Sequence, residues 1–272
     1  MKDIALGQYY PAASPIHRLD ARMKVVLTIL YIVCTFLCKN ILAFAALVAF
    51  SFFLLLLSRI PLRIVARALR PILFIMLFTA ALNLFFTKGE VPLWSFWRFS
   101  IYVEGLYNAA FMLLRIVALI LGTSLFLTYT TTPIALTDAI ESLLSPLRVL
   151  HLPVHEFAMM MTIALRFIPT LSEETNKIMN AQRARGVSFN EGGLIRRAKA
   201  LIPILIPLFV SSFRRADDLA TAMECRCYRG GKGRTKMTVP HLAVRDFAAL
   251  LVVVAFGVGV VMLNRLGIGY TM

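Results

Sequence analysis

The residues whose types and spacing could do chemistry lie mostly between positions 130 and 231, and the most suggestive patterns there are incomplete. Gly230-Gly231-Lys232-Gly233 has the residue types of a phosphate-binding loop, but in the wrong order and after no predicted strand. His155-Glu156 begins like a zinc protease motif, yet Met159 stands where the second histidine ligand is needed. No serine or cysteine has an evident general base. We therefore predict no catalytic residue, no metal site and no bound cofactor, so that the chain is not an enzyme.

The four cysteines favour neither a disulfide nor a metal site. Cys34 and Cys38 fall one helical turn apart in an apolar run, where cysteine behaves as a small hydrophobic residue. Cys225 and Cys227 are expected to face the reducing cytosol, where structural disulfides are rare. A Cys-X-Cys pair with no further cysteine or histidine nearby is also a poor metal site.

Arginine recurs at the ends of two long predicted helices, which follow a short amphipathic helix starting at Thr132-Pro133. The first long helix begins near Val154 and ends at Gln182-Arg183-Ala184-Arg185-Gly186. The second begins near Gly193 and ends at Glu224-Cys225-Arg226-Cys227-Tyr228-Arg229-Gly230-Gly231. A cation at a helix C-terminus is worth about 0.3–1 kcal/mol through the helix dipole, which accounts for any single arginine. Two similar ends favour a further role, because arginine forms bidentate pairs with carboxylates at interfaces.

The first half of each long helix is apolar and contains proline. In the first helix the apolar residues follow the spacing of a single helical face: Phe157, Met160, Met161, Ala164, Leu165 and Ile168. In the second, Leu201–Val210 is apolar on every side but too short to cross a bilayer, so it is expected to be buried in protein or in the membrane surface. Kinks are expected at Pro169, Pro203 and Pro207.

The elements that must position these helices are unusually apolar. Of 272 residues, 59% are hydrophobic and 16% are charged, with a mean hydropathy of +0.78; a soluble domain has about one quarter charged residues. The excess gathers into five apolar runs typical of membrane spans: Val25–Leu37, Ile41–Leu57, Pro71–Phe86, a run within Ile101–Tyr129, and Phe247–Leu266. No cleavable signal peptide is expected before the first run.

These runs predict an all-α polytopic membrane protein with about five transmembrane helices and a cytoplasmic helical domain inserted before the last span. Residues 1–22 form a cytoplasmic N-terminal segment and 23–130 hold the first four spans. Residues 131–242 form the cytoplasmic helices, and 243–272 hold the last span and the C-terminus.

The placement of lysine and arginine gives the expected orientation, because both collect in cytoplasmic loops. The segment after the second run is placed inside by four arginines: Arg59, Arg63, Arg67 and Arg70. Alternation puts the N-terminus on the cytoplasmic side of the membrane and leaves few cations elsewhere: Lys39, Lys88, Arg98 and Arg265 outside, and Arg115 within a span. The lipid bilayer and an acidic cytosolic partner then explain the net charge of +15 without nucleic acid.

Polar residues in the membrane part separate the alternatives. None of the 14 acidic residues falls at a membrane centre, which argues against a self-contained secondary carrier or channel. A membrane-embedded enzyme would require a cluster of nucleophilic or metal-ligating residues, and the sequence shows none. Arg115 leaves two versions of the fourth span open. In the preferred one the span is Leu114–Tyr129, with Arg115 at the outer interface and a surface helix over 99–113. In the other the span starts near Tyr102, and a buried Arg115 needs a partner such as Asn83.

Motifs along nearly the whole chain carry a family resemblance. The opening motif is Gly7-Gln8-Tyr9-Tyr10-Pro11 followed by Ser14-Pro15-Ile16-His17-Arg18-Leu19-Asp20, and the middle motifs are Gly105-Leu106, Arg115-Ile116, Thr130-Thr131-Thr132-Pro133 and Leu143-Leu144-Ser145-Pro146-Leu147. The most specific are two Ala-Arg-Gly-type helix ends: Ala184-Arg185-Gly186 is intact, whereas Cys225-Arg226-Cys227 keeps only the arginine. Without glycine at 227, the second helix is free to run on to Gly230. The chain resembles the transmembrane T component of energy-coupling factor (ECF) importers, the EcfT/CbiQ family.

The resemblance implies a coupling role in vitamin or metal uptake. Two ABC-type ATPase subunits, which bind the ATP, would engage the two motifs through Arg185 and Arg226. A membrane-embedded, substrate-binding S component would dock on the apolar halves of the helices: Phe157, Met160, Met161, Leu165, Leu201, Leu205 and Leu208. The three prolines would act as hinges. A length near 270 residues resembles the shared, vitamin-serving T component more than a dedicated metal one.

Overall fold

The computed structural model describes residues 9–86, 92–96, 99–189, 193–231 and 241–265. Some residues of the sequence motifs lie outside this part of the chain: Gly7, Gln8, Lys88, Arg98, Lys232 and Gly233. The described chain forms two compact units. One contains the residues up to Ala139 and those from His241 to Arg265, and the other contains the residues from Ile140 to Gly231. The boundary falls inside a helix.

Nine helices and one strand pair are seen in the described residues. In chain order they are α1 (Ala21–Leu37), α2 (Ile41–Ser58), α3 (Leu62–Leu69), α4 (Leu73–Phe86), β1 (Pro92–Phe96), β2 (Phe99–Tyr102), α5 (Val103–Thr123), α6 (Pro133–Leu143), α7 (Val154–Ala184), α8 (Leu194–Cys225) and α9 (Val244–Arg265). A π-helical turn, Ser124–Thr128, continues α5, and a 3₁₀ turn, Ser145–Leu150, follows α6. The all-α polytopic prediction is confirmed, although the short hairpin was not foreseen.

The apolar runs of the sequence become helices close to their predicted bounds. Three described helices are long and apolar enough to cross a membrane: Ile41–Ser58, Val103–Thr128 and Val244–Arg265. Helix α1 has 17 residues and α4 has 14. At about 1.5 Å per residue, α4 reaches roughly 21 Å, which is short of the bilayer core of about 30 Å.

The fourth span corrects the preferred sequence interpretation. Residues 99–102 form a strand, and α5 then continues unbroken from Val103, so there is no separate surface helix over 99–113. The span therefore starts near Tyr102, as the other version had it. The Arg115 guanidinium donates to the Cys38 carbonyl at 3.1 Å and lies 5.3 Å from the centre of the Phe44 ring. Arg115 is half-buried, and Asn83, the partner expected for it, donates instead to the Thr79 carbonyl at 3.0 Å.

The core of the first unit is built around Tyr31 on α1. Its ring is fully buried, and its hydroxyl lies 2.7 Å from the Ser51 hydroxyl and donates to the Ala118 carbonyl at 3.0 Å. The ring lies so close to Gly122 that any Cβ there would overlap it. Glycine lets α1 and α5 approach closely while the phenol keeps its hydrogen bonds, which a buried hydroxyl requires.

Helices α6, α7 and α8 begin and end largely where the local sequence predicts. Thr132 caps α6 by accepting the Ala135 amide at 3.3 Å, and Pro133 occupies the first turn, where its missing N–H is not needed. Helix α7 begins at Val154 and α8 at Leu194, directly after Gly193. These two helices, with 31 and 32 residues, pack against each other and carry the candidate site.

Candidate functional site

Helix α7 ends in a Schellman motif at the predicted Ala184-Arg185-Gly186. Gly186 has a φ of 85°, and its amide donates to the Arg183 carbonyl at 3.0 Å. The Val187 amide donates to the Gln182 carbonyl, also at 3.0 Å. This pair of bonds satisfies the last carbonyls of the helix and turns the chain sharply after Arg185.

Helix α8 ends in the same backbone motif although its sequence differs. Cys227 has a φ of 56°, in the left-handed region that favours glycine. Its amide donates to the Glu224 carbonyl at 2.8 Å, and the Tyr228 amide donates to the Met223 carbonyl at 3.0 Å. The expectation that this helix could run on to Gly230 is wrong, because the chain leaves the helix after Cys225 and the Schellman bonds form without glycine.

The two motif arginines occupy equivalent positions, each as the residue that caps its helix. Arg185 and Arg226 are exposed, and no described residue makes a hydrogen bond or an ion pair with either guanidinium. Arg183, two residues before Arg185, differs because its guanidinium lies 5.9 Å from the Phe189 ring centre. Among the described residues, each helix therefore presents one guanidinium without a partner beside its negative dipole end.

Helices α7 and α8 are joined through their polar halves. Arg215 on α8 donates to the Glu174 carboxylate on α7 at 2.8 Å, and its Nε donates to the Ser211 hydroxyl at 3.4 Å. The Ser211 hydroxyl and the Arg215 charge hold the pKa of Glu174 below its ordinary value. Both partners are partly exposed, so the pair mainly sets the register of the two helices rather than adding much stability.

The incomplete zinc motif and the glycine pair meet in one cluster within the second unit. Glu141 on α6 is buried, and its carboxylate lies 3.0 Å from Nδ1 of His155 on α7. Gly231, just beyond α8, packs against the same imidazole, where a Cβ would lie 2.7 Å from Cδ2. His155 and Gly231 therefore have a packing role that the incomplete zinc and phosphate-loop patterns did not predict. No group of three metal-ligating side chains occurs in the described residues.

The apolar halves of α7 and α8 present much of their predicted surface. Five of the seven predicted residues are exposed: Phe157, Met160, Met161, Leu201 and Leu205. Leu165 and Leu208 are half-buried. The predicted docking residues left out a second exposed row on α8, of which the first three residues lie in the run Leu201–Val210 that is apolar on every side: Ile202, Ile206, Phe209 and Phe213. Its spacing of four, three and four residues marks one helical face, so periodicity could have found it.

The three prolines lie inside continuous helices. Pro169 is within α7, and Pro203 and Pro207 are within α8. Each proline removes one backbone donor, so the carbonyl four residues earlier loses its helical hydrogen bond. Their action as hinges stays a prediction.

Comparison with known proteins identifies the family. A family model described as CbiQ, cobalt transport protein, matches residues 12–237. The energy-coupling factor transporter transmembrane protein EcfT of Clostridium kluyveri is 53% identical over 252 residues, covering 92% of this chain and 93% of that protein. The chain belongs to the EcfT/CbiQ family. The EcfT proteins of Thermosediminibacter oceani and Ruminiclostridium cellulolyticum are 50% and 49% identical and are each covered to 98%.

Family membership and the apolar helices together establish a membrane-embedded transmembrane component of an ECF transporter. The sequence pattern that suggested the family is a set of spans followed by two helices that end in arginine. Both of those helices lie within residues 12–237, which the family model matches. In this EcfT-family chain the second helix end keeps the Schellman backbone with Cys227 in the glycine position.

Proposed function

We propose that the chain is the coupling subunit of an ECF importer. It passes ATP-driven motion from two cytosolic ABC-type ATPase subunits to a membrane-embedded S component that binds a vitamin or another micronutrient. The chain itself catalyses nothing, and the ATP is bound by its partners. The observation that carries the proposal is the pair of equivalent helix ends, each presenting an exposed arginine that no described residue pairs with.

The equivalence of the two ends supports binding to two equivalent partners. Both motifs fix the arginine as the last residue before a left-handed turn, so the same short stretch of surface is offered twice. An ATPase subunit with a carboxylate-lined groove would accept either end through a charge-assisted pair. Ala184 and Gly186 on one end, and Cys225 and Cys227 on the other, would line the same contact.

The packing of α7 against α8 supports transmission of the motion. The Arg215–Glu174 pair joins the helices at a point between their apolar halves and their arginine ends. Displacement of one end by a closing ATPase dimer would therefore move both helices together, while the prolines in the apolar halves absorb bending.

The exposed apolar surface supports docking of the S component. Phe157, Met160 and Met161 on α7, with Leu201 and Leu205 on α8, are large side chains left uncovered in this chain. Flexible methionine suits a surface that must accept different partners in turn. A shared T component, which serves several S components, would need this property.

The proposed placement follows the charge distribution. The N-terminus and the helices of residues 131–242 would lie in the cytoplasm of a bacterial cell, where the ATPases are, because the lysine and arginine bias favours that side. The relatives are named as transmembrane proteins of energy-coupling factor transporters, which agrees with this placement in a membrane.

The ATPase contacts are tested by Arg185→Glu and Arg226→Glu, separately and together, with co-purification of the ATPases as the readout. We expect the double variant to lose both ATPases, at least tenfold relative to the wild type. Arg214→Glu is the matched control, because Arg214 is equally exposed on α8 but lies away from its end. Unchanged assembly and uptake in both single variants would refute the proposal.

Native cysteines give an independent readout of the same contact. Cys225 and Cys227 are exposed, whereas Cys34 and Cys38 are buried. A maleimide reagent should therefore label the α8 end of the isolated chain, and bound ATPase should protect it. Equal labelling with and without the ATPases would contradict this placement.

The S-component surface is tested by Met161→Asp, with Met161→Leu as the matched apolar control. The aspartate variant should release the S component while retaining the ATPases, because a charge at an apolar contact loses its hydration. Liposomes containing only this chain should show no uptake. Uptake by the chain alone would support a secondary carrier instead.

A further inference from the structure

An open cavity lies at one end of the first unit. Its volume is about 560 Å³, within the range of about 300–1,000 Å³ that is usual for ligand pockets. The walls are mostly apolar and come from the N-terminal segment, α1, α2, α9 and the π-helical turn: Ile16, Leu27, Phe50, Leu54, Phe126 and Val253. Leu27, Ile16 and Phe126 are themselves buried, so the walls belong to the packed core.

Three arginines line the same cavity. Arg18 precedes α1, Arg59 directly follows α2, and Arg245 is in the first turn of α9. Although distant in sequence, they line one cavity because α1 and α9 begin at the end of the bundle where α2 finishes. All three are exposed, and no described residue makes a hydrogen bond or an ion pair with their guanidinium groups.

The carboxylate nearest to these arginines in sequence is not paired with any of them. Asp246, next to Arg245 in sequence, is buried and accepts hydrogen bonds from two backbone amides, those of Asp20 at 2.9 Å and Ala243 at 2.7 Å. Within the described part of the chain, the cavity therefore combines an apolar interior with three cations that have no ion-pair partner. Guanidinium groups pair well with phosphate oxygens, which they can bind bidentately.

The depth of the cavity matches the chemistry of a membrane lipid. Arg59 lies at the end of a membrane-spanning helix, while Leu54 and Phe50 lie about 8 and 14 Å further along α2 at roughly 1.5 Å per residue. Charge at the helix ends with apolar walls below it is the order of headgroup and acyl chain in one leaflet of a bilayer.

We propose that this cavity binds one anionic phospholipid. The headgroup phosphate contacts Arg18, Arg59 and Arg245, and an acyl chain lies along Phe50, Leu54 and Val253. The site shares no residue with the proposed ATPase and S-component contacts and does not depend on the proposed function. A lipid held here would tie the N-terminal segment to α2 and α9 at the end of the bundle.

The test measures lipid retained by the purified chain in neutral detergent, using native mass spectrometry. Phosphatidylglycerol is titrated against phosphatidylcholine with the same acyl chains, and glycerol 3-phosphate is added as a free headgroup. We expect one phosphatidylglycerol per chain, with little phosphatidylcholine bound and little displacement by glycerol 3-phosphate, because the acyl chain contributes to binding.

Two variants separate the charge from the cavity. Arg18→Gln/Arg59→Gln/Arg245→Gln should weaken phosphatidylglycerol binding about 100-fold, since a basic residue near an anionic lipid contributes about 1 kcal/mol and 1.4 kcal/mol is tenfold. The matched control changes three other exposed arginines that follow α2, as Arg63→Gln/Arg67→Gln/Arg70→Gln, and should alter binding less than tenfold. Ala249→Trp keeps every charge but fills the cavity, and it should also abolish retention.

Several results would overturn the proposal. Equal retention of both lipids would show an apolar groove without headgroup recognition, and an equal loss in both arginine triple variants would show only general charge attraction. Full displacement by glycerol 3-phosphate, or full retention in Ala249→Trp, would show a phosphate site with no place for an acyl chain.

Discussion

The cysteine in the left-handed position at the end of α8 gives the sharpest stability prediction. Cys227 has a φ of 56°, whereas the equivalent residue of α7 is Gly186 with a φ of 85°. A left-handed conformation costs an L-residue about 1–2 kcal/mol because Cβ crowds the carbonyl oxygen. Cys227→Gly removes that cost but adds roughly 0.4–1 kcal/mol of backbone entropy to the unfolded chain. The net expectation is a helix end more stable by about 1 kcal/mol.

Hydrogen exchange measures this effect locally. The Cys227 and Tyr228 amides form the Schellman bonds, so their exchange reports opening of the helix end. A gain of about 1 kcal/mol should slow that exchange about fivefold in Cys227→Gly, after correction for the intrinsic exchange rates. The assay is mass spectrometry of peptides that contain residues 220–229, with the chain in detergent.

Two further variants decide whether the backbone is the cause. Cys227→Ala removes the thiol but keeps Cβ, so it should exchange like the wild type. Gly186→Ala imposes the same strain on α7 and should speed exchange of the Gly186 and Val187 amides about fivefold. The reasoning is refuted if Cys227→Gly exchanges as fast as the wild type, or if Cys227→Ala slows exchange equally.

Three more substitutions test contacts elsewhere. Gly231→Ala places a Cβ 2.7 Å from the His155 ring, so it should reduce the free energy of unfolding by about 1–3 kcal/mol and lower the melting temperature. Gly259→Ala is the control, because Gly259 has open space around it and the melting temperature should not change. The pKa of Glu174 is lowered in the folded chain, so its ionised carboxylate stabilises the folded state at pH values above its ordinary pKa of 4.5. This stabilisation is lost as the pH falls through the lowered pKa of the folded state. Melting temperatures measured from pH 6 to 3 should therefore fall less steeply in Glu174→Gln; identical slopes would contradict this. The Asp246 carboxylate accepts hydrogen bonds from two backbone amides, and in Asp246→Asn one of its oxygens becomes an NH₂ donor. The free energy of unfolding should therefore fall by about 1–3 kcal/mol. An unchanged melting temperature would argue against those hydrogen bonds.

Local sequence predicted most helix bounds because the signals that start and stop a helix are short-range. Thr132 and Pro133 determine the start of α6, and Gly186 determines the end of α7, through hydrogen bonds within a few residues. The apolar face that contains Phe157 and Met161 follows from helical periodicity alone. The same reasoning missed the hairpin of β1 and β2, which none of the apolar runs predicted.

The sequence by itself therefore determined the membrane class, the two long helices and the arginines at their ends. Only the tertiary structure decided that Cys227 accepts a left-handed turn, that Arg115 reaches the Cys38 carbonyl, and that Gly231 packs on His155. The three arginines at the cavity also meet only in the fold. The physical reason is that these outcomes depend on contacts between residues far apart in sequence, or on backbone strain that the rest of the fold outweighs. Neither can be predicted from the local sequence.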